Sequence, residues 1–459
     1  MNYKLFKITF PGYLLLLLIL IISNSFAQNN SIVKHPEWSY NSVIYEVNLR
    51  QYTEEGTFKS FEEHLPRLKD MGVGILWFMP IHPIGEKNRK GTLGSYYAVK
   101  DYKDINPEHG TFEDFKNLVD KIHEMDMYVI IDWVANHTAW DNVWVGEHPE
   151  FYTKDSQGNF VPPVADWSDV IDLNFDDKEL WVAMIDAMKF WVEEYDIDGY
   201  RCDVAGMIPV EFWIEVRKEL DEIKPVFMLA EAWEPELHQA FDMTYSWDIH
   251  HLMSDIAKGK KAVDDLRARL EKEEEMYSES AFRMQFTSNH DENTWNGTVY
   301  EKFGEAAETF AALSFVIPGM PLIYSGQEAG LDKRLEFFEK DPIEWKEDKF
   351  ASLYTTLCKL KENNKALWNG EKGGELKYLP VFSLSSSGLD KNLIDSSVFV
   401  IERESNGDKV LGIFNLAGNH FKQLGISGDV DGYKNIFNDE QLPNEFGLAP
   451  WEYKIFYKD

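Results

Sequence analysis

The stretch Asp198-Gly199-Tyr200-Arg201-Cys202-Asp203-Val204 reads as a short strand that ends in an acid. Side chains alternate along a strand, so Arg201 and Asp203 share one face and Cys202 takes the other. An arginine two residues before a carboxylate suits an acid held ionised and oriented. A solvated ion pair at a strand end has the same sequence, so the surroundings have to decide. Upstream, residues 180–195 form an amphipathic helix that feeds this strand. Downstream, residues 210–223 have helical spacing. Val226-Phe227-Met228-Leu229-Ala230-Glu231 then repeats the pattern of an apolar strand stopped by an acid.

The alternation extends in both directions. Residues 42–48, Gly74-Ile75-Leu76-Trp77-Phe78-Met79-Pro80, Tyr128-Val129-Ile130-Ile131-Asp132, residues 282–288 and residues 321–325 read as further strands. Helical spacing lies between them at residues 61–71, ended by Gly72, at 112–125, capped by Thr111, and at 305–315. Nearly continuous apolar strands separated by helices indicate a parallel sheet covered on both faces. About eight such units favour an α/β fold closed as a (β/α)8 TIM barrel over residues 36–370. An open doubly wound sheet is the competing architecture, but no Gly-x-Gly-x-x-Gly follows an early strand. The strand ending at Asp132 leads into a long loop rich in Trp, Pro and Asp, read as a small inserted domain over residues 138–175. From residue 371 to 459 short alternating strands replace this pattern. Ser405-Asn406-Gly407-Asp408 is a hairpin turn there, and the segment reads as a C-terminal antiparallel β-sandwich domain.

Composition narrows the partners. Among 459 residues, 46 Lys and Arg face 79 Asp and Glu, for a net charge of −33. Such a chain repels phosphate backbones and excludes nucleic acid as a partner class. The 15 Trp, 21 Tyr and 30 Phe fit a large core, and equally rings that stack on flat ligands such as sugars. Lys4 and Lys7, the apolar run at residues 14–22 and Ser25-Phe26-Ala27 form a signal peptide over residues 1–27. The run is too short for a membrane span, so export to the periplasm or medium is expected, without stable membrane insertion. No Cys lies near Ala27, which argues against a lipid anchor. Cys202 and Cys358 are expected as free, buried thiols.

Barrel active sites sit at the C-terminal ends of the strands. Asp132 with Asn136 and His137, Arg201 with Asp203, Glu231, and Asn289-His290-Asp291 all fall there. Salt bridges at a barrel rim could explain any one of these groups, but four at one end suit acetal hydrolysis. One carboxylate attacks while another, kept protonated, gives its proton to the leaving oxygen. Asp203, expected to be held ionised by Arg201, is the better nucleophile, and Glu231 the better acid. A metal-dependent hydrolase lacks a His-rich cluster with ligand spacing.

These residues resemble the α-amylase family of glycoside hydrolases. Asp132-Trp133-Val134-Ala135-Asn136-His137 is similar to its D-x-x-x-N-H motif, and Gly199 to Asp203 to its G-x-R-x-D motif. Ala230-Glu231-Ala232-Trp233 resembles its acid/base motif, and Asn289-His290-Asp291 its N-H-D motif. Gly72 to Pro80, Asp172-Leu173-Asn174 and the segment from Gly319 to Glu328 resemble its lesser motifs, in family order. The resemblance implies a retaining enzyme acting on α-linked glucose polymers, with Asp203 as nucleophile, Glu231 as acid/base and Asp291 binding ring hydroxyls. It further implies that Arg201, His137 and His290 bind the same sugar, and that Tyr97 is a stacking platform; Tyr96 could take that role by a one-residue shift. α-1,4 hydrolysis of starch or maltooligosaccharides is the leading expectation. Cyclomaltodextrin or α-1,6 cleavage and transglycosylation use the same chemistry, whereas a non-catalytic carbohydrate-binding barrel would lack the carboxylates present here. In this family Asn136 is a frequent ligand of structural calcium. The neighbouring acids Asp141, Glu147, Asp166 and Asp169 stand in no fixed-spacing cage, so no cofactor is expected to be required. Residues 330–338 are expected to shape the substrate groove.

Overall fold

Eight short stretches pair in parallel and close on themselves. They are β1 (Ile44–Val47), β2 (Ile75–Phe78), β3 (Tyr128–Trp133), β4 (Gly199–Cys202), β5 (Phe227–Ala230), β6 (Met243–Tyr245), β7 (Phe282–Gln285) and β8 (Met320–Tyr324). Neighbours in sequence are neighbours in space, and Ile44 opposite Leu322 closes the ring. This computed structural model describes residues 33–385, 388–394, 397–418, 422–426 and 431–458; the signal segment read at residues 1–27 lies outside them.

The strands are buried on both faces, as a helix-wrapped barrel requires. Ile44, Trp77, Ile130, Leu229 and Met284 point inward and fill the barrel. Tyr45, Leu76, Ile131, Cys202 and Met228 point outward into the larger core shared with the helices. Cys202 and Cys358 are both free and buried, as expected. The barrel needs Gly199 at the foot of β4, where φ is +148° and a Cβ would lie 1.9 Å from the Phe227 carbonyl oxygen.

Local signals set several helix ends. Thr111 and Asp114 form a capping box that starts the helix Phe112–Glu124, and Gly72 ends Leu65–Met71 with φ of 95°. The helix expected over residues 61–71 is two helices, Phe58–Glu62 and Leu65–Met71. Pro66 stands in the first turn of the second, where its missing N–H is harmless, and would break a continuous helix. β6 escaped the sequence reading: three residues, Met-Thr-Tyr, carry no apolar run to recognise.

After β3 the chain forms a small antiparallel pair, His137–Ala139 with Val170–Asp172. The C-terminal region is two antiparallel sheets of five and four strands. Val398, Val400, Leu411 and Ile413 face the second sheet, while their neighbours Phe399, Ile401, Val410 and Phe414 join the barrel's outer core. The hairpin turn lies at Asn406 and Gly407, with φ of 55° and 99°.

Candidate active site

Arg201 is the centre of the site. It points into the barrel from β4, fully buried, with its guanidinium carbon 5.1 Å from the Trp77 ring and 5.8 Å from both the Tyr97 and Tyr245 rings. A buried cation must be paired. Nη1 donates to Asp132 Oδ1 and to Asp203 Oδ1, each at 2.9 Å, and Nε donates to the Tyr245 hydroxyl at 3.2 Å. Nη2 lies 3.0 Å from Glu231 Oε2, at an angle that makes it a charge contact and leaves it without a hydrogen bond.

His290 is a second buried cation. Burial lowers its pKa, but Asp291 and Glu46 on either side outweigh that and hold it well above the usual imidazole value. Protonated, it donates from Nδ1 to Glu46 Oε1 at 2.5 Å. Nε2 lies 2.8 Å from the Tyr97 hydroxyl and 3.0 Å from Asp291 Oδ2. Tyr97 in turn donates to Asp132 Oδ2 at 3.0 Å, which links the two cations through one carboxylate.

Two cations therefore serve five carboxyl groups: Glu46, Asp132, Asp203, Glu231 and Asp291. An uncompensated charge in this position costs several kcal/mol, so protons are retained. Burial, opposed by Arg201 and reinforced by Asp132 and Asp291, pushes Asp203 up to about 6. The same effects, with Asp203 and Asp291 as the repelling charges, push Glu231 up to about 7. For Glu231 this is a preference for the neutral acid on the order of 3 kcal/mol over an exposed glutamate. Asp291 moves the other way: burial raises it, but His290, then Arg201 and the Trp295 indole, outweigh that. Arg201 was expected to hold Asp203 in the ordinary ionised range. Arg201 divides its charge among three acids, so burial still raises Asp203, though less far than it raises Glu231.

Backbone strain positions Glu231. Val204 has φ of 37°, rare for a β-branched residue, and its N–H donates to Glu231 Oε2 at 2.8 Å. Such a conformation costs about 1–3 kcal/mol and persists where neighbours enforce it.

The expected residues converge. Asp203, Glu231, Asp291, Tyr97, His137 and His290 line one cleft of about 370 Å³, with Arg201 beneath it. Tyr97, and not Tyr96, faces the cleft; the Tyr96 hydroxyl donates to Asn48 and its ring covers Arg50. Phe337 and Phe338 also line it, as expected of residues 330–338. Burial lowers His137 to about 3, so its ring is neutral, and Nδ1 accepts from Asn136 at 3.3 Å. That leaves the ring proton on Nε2. Asn136 is buried behind His137 and does not line the cleft.

Two lysines occupy the acids of the inserted loop. Lys90 Nζ lies 2.9 Å from Asp169 Oδ1 and donates to the Asp166 carbonyl at 2.8 Å. Lys100 Nζ lies 3.1 Å from Glu86 and 3.7 Å from Asp141. Glu147 is exposed. Among the described residues no group of three or more His, Cys, Asp or Glu is placed to hold a metal ion.

The sequence reading missed Glu46, Trp77, Tyr245 and the Val204 N–H. Glu46 carried a usable signal: an acid near the end of an apolar strand, like Asp132 and Glu231.

A sequence profile for the α-amylase catalytic domain matches residues 21–169 and 164–374. The chain belongs to the α-amylase family. It is a glycoside hydrolase of that family, with crystallographic relatives over nearly its whole length. The α-amylase of Lactobacillus plantarum superposes with a TM-score of 0.80 at 31% identity, covering 92% of this chain and 100% of that one. A noncanonic maltogenic α-amylase of Thermotoga neapolitana gives 0.79 at 33% identity, covering 91% and 98%. α-Amylase 2 of Dictyoglomus thermophilum is 25% identical over 90% of this chain and 75% of its own.

Proposed function

We propose that this α-amylase-family enzyme hydrolyses α-1,4-glucosidic bonds of starch and maltooligosaccharides by double displacement, with retention at the anomeric carbon. The observation that carries the mechanism is the placing of Asp203 and Glu231 on adjacent strand ends, against one guanidinium, with Glu231 holding its proton more tightly. An Asp203 oxygen attacks C1 while the bond from C1 to the bridging oxygen breaks and Glu231 gives that oxygen its proton. Water then gives a proton to Glu231 and its hydroxyl to C1, which frees Asp203. His290 and Asp291 hold hydroxyls of the reacting sugar, neutral His137 donates from Nε2, and Tyr97 offers its ring face. The α-amylases and maltogenic amylases among its relatives support an α-glucan substrate.

NMR of the first product from maltoheptaose tests the scheme, with the α-anomer expected. A β-anomer at early time would exclude a covalent intermediate on Asp203.

The inserted loop does not fit a structural calcium. Calcium takes about 6–8 oxygens. Here Asp169 and Asp141 meet lysines, and Asn136 turns its side chain to His137. No step is routed through a metal. Residues 1–27 support export to the periplasm or medium, and a mature protein beginning at Gln28 is the expected result of N-terminal sequencing. Among the described residues no helix is long and apolar enough to cross a membrane.

A further inference from the structure

The two ends of the cleft are built differently. Beyond Asp291 stands an aromatic wall. Trp295 lies on a π-helical turn, Glu292–Asn296, that continues from Asp291, and its indole helps to hold that carboxyl low. Its ring is 5.4 Å from Phe337 and 6.0 Å from Phe338, and Phe337 lies parallel to Tyr97 at 6.2 Å.

The wall is tied down. The Leu93 N–H donates to the Phe338 carbonyl at 3.1 Å, and the Thr92 N–H to Glu339 Oε1 at 2.9 Å. Arg50 Nη1 reaches the carbonyls of Gly94 and Phe337 at 3.0 and 3.2 Å. Asn293 bonds Leu335 and Lys333 at 2.9 and 3.0 Å. Lys90 and Asp169, paired at 2.9 Å, complete the enclosure from the inserted loop.

The opposite end, past Glu231, is open. Met207 and Trp233 are exposed there and neither lines the cleft, whereas Trp295, 52% exposed at the other end, does line it.

The direction of the substrate follows from the roles proposed above for Asp203, Glu231 and Asp291, on which this inference rests. C1 of the reacting sugar lies between Asp203 and Glu231, with the leaving oxygen on the Glu231 side. C4 lies across the ring from C1, so a chain continuing through O4 runs past Asp291 into the aromatic wall. The leaving portion runs out over Trp233.

We propose that the wall of Trp295, Phe337 and Phe338 closes the glycone end of the cleft, so that the enzyme works from non-reducing chain ends and releases short products of one dominant length. The long remainder of the glucan leaves through the open side.

The test compares maltoheptaose with maltoheptaose capped at its non-reducing end by a 4,6-benzylidene acetal. Initial rates and product lengths are followed by chromatography. Free maltoheptaose should be cut about tenfold faster or more, with one short sugar dominant from the first time point. A smaller ratio, or a spread of product lengths at early time, overturns closure of the glycone end while leaving α-glucan hydrolysis in place. Failure to cut either compound, or any α-glucan, overturns both readings. A Trp295→Ala/Phe338→Ala variant is expected to bring the two rates about fivefold closer together. If the variant folds, cuts free maltoheptaose and leaves the ratio unchanged, the wall is not what excludes the cap.

Discussion

The floor of the cleft and its glycone-side rim are held by different forces. The floor is a buried charge network on five strand ends and the loops just beyond them, with Arg201 and His290 serving five carboxyl groups. The rim is a set of mostly hydrogen-bonded ties between loops after β1, β2, β7 and β8, closer to water. Low dielectric makes each floor contact strong and makes each loss leave another charge stranded. The rim contacts are individually worth about 0.5–1.5 kcal/mol, and several share the work. The floor is therefore close to all-or-nothing in chemistry, whereas the rim can change its reach by degrees.

The largest effects should come from the floor. Asp203→Asn is expected to lower kcat by roughly 10⁴-fold or more, and Glu231→Gln by about 10²–10⁴-fold, with unchanged far-UV circular dichroism. The wild-type kcat/KM should fall below about pH 6 as Asp203 gains a proton, and above about pH 7 as Glu231 loses one. Residual activity of Glu231→Gln should lack the alkaline fall. An alkaline limb that survives in that variant would move the acid elsewhere in the network. The smallest effect is reserved for the inserted loop, whose acids meet lysines. EDTA is expected to shift Tm by less than about 2 °C. A larger drop, restored by added calcium, would show a metal sharing the task of Lys90 and Lys100.

Much of the floor was legible in the sequence because barrel strands carry their own address. An apolar run that ends in an acid puts that acid at the mouth, and alternation fixes its face; Asp132, Asp203 and Glu231 were found this way. Glu46 was passed over because it precedes the strand's end. β6 carries too few residues to show a period. The sharing of Arg201 among three acids depends on how neighbouring strand ends converge, which residue spacing does not give. The strain at Val204 is set by what surrounds it, and valine in the sequence argues against it. The rim was legible only as a groove-shaping segment at residues 330–338. Its tie from Leu93 to Phe338 joins backbone groups more than two hundred positions apart, and a backbone group looks the same in every residue.

Lys90 and Lys100 give the inserted loop an attachment of a particular kind. Their ammonium groups belong to the same molecule as the acids they hold, so the effective concentration of the cation is fixed by chain geometry. Dilution cannot remove such a cation, and a chelator cannot sequester it. The one wall of the cleft that includes Lys90 and Asp169 is thus held by a cation that the chain itself supplies. Salt is a weak handle on the Lys90 pair, since Asp169 is buried and screening acts mainly on exposed charges.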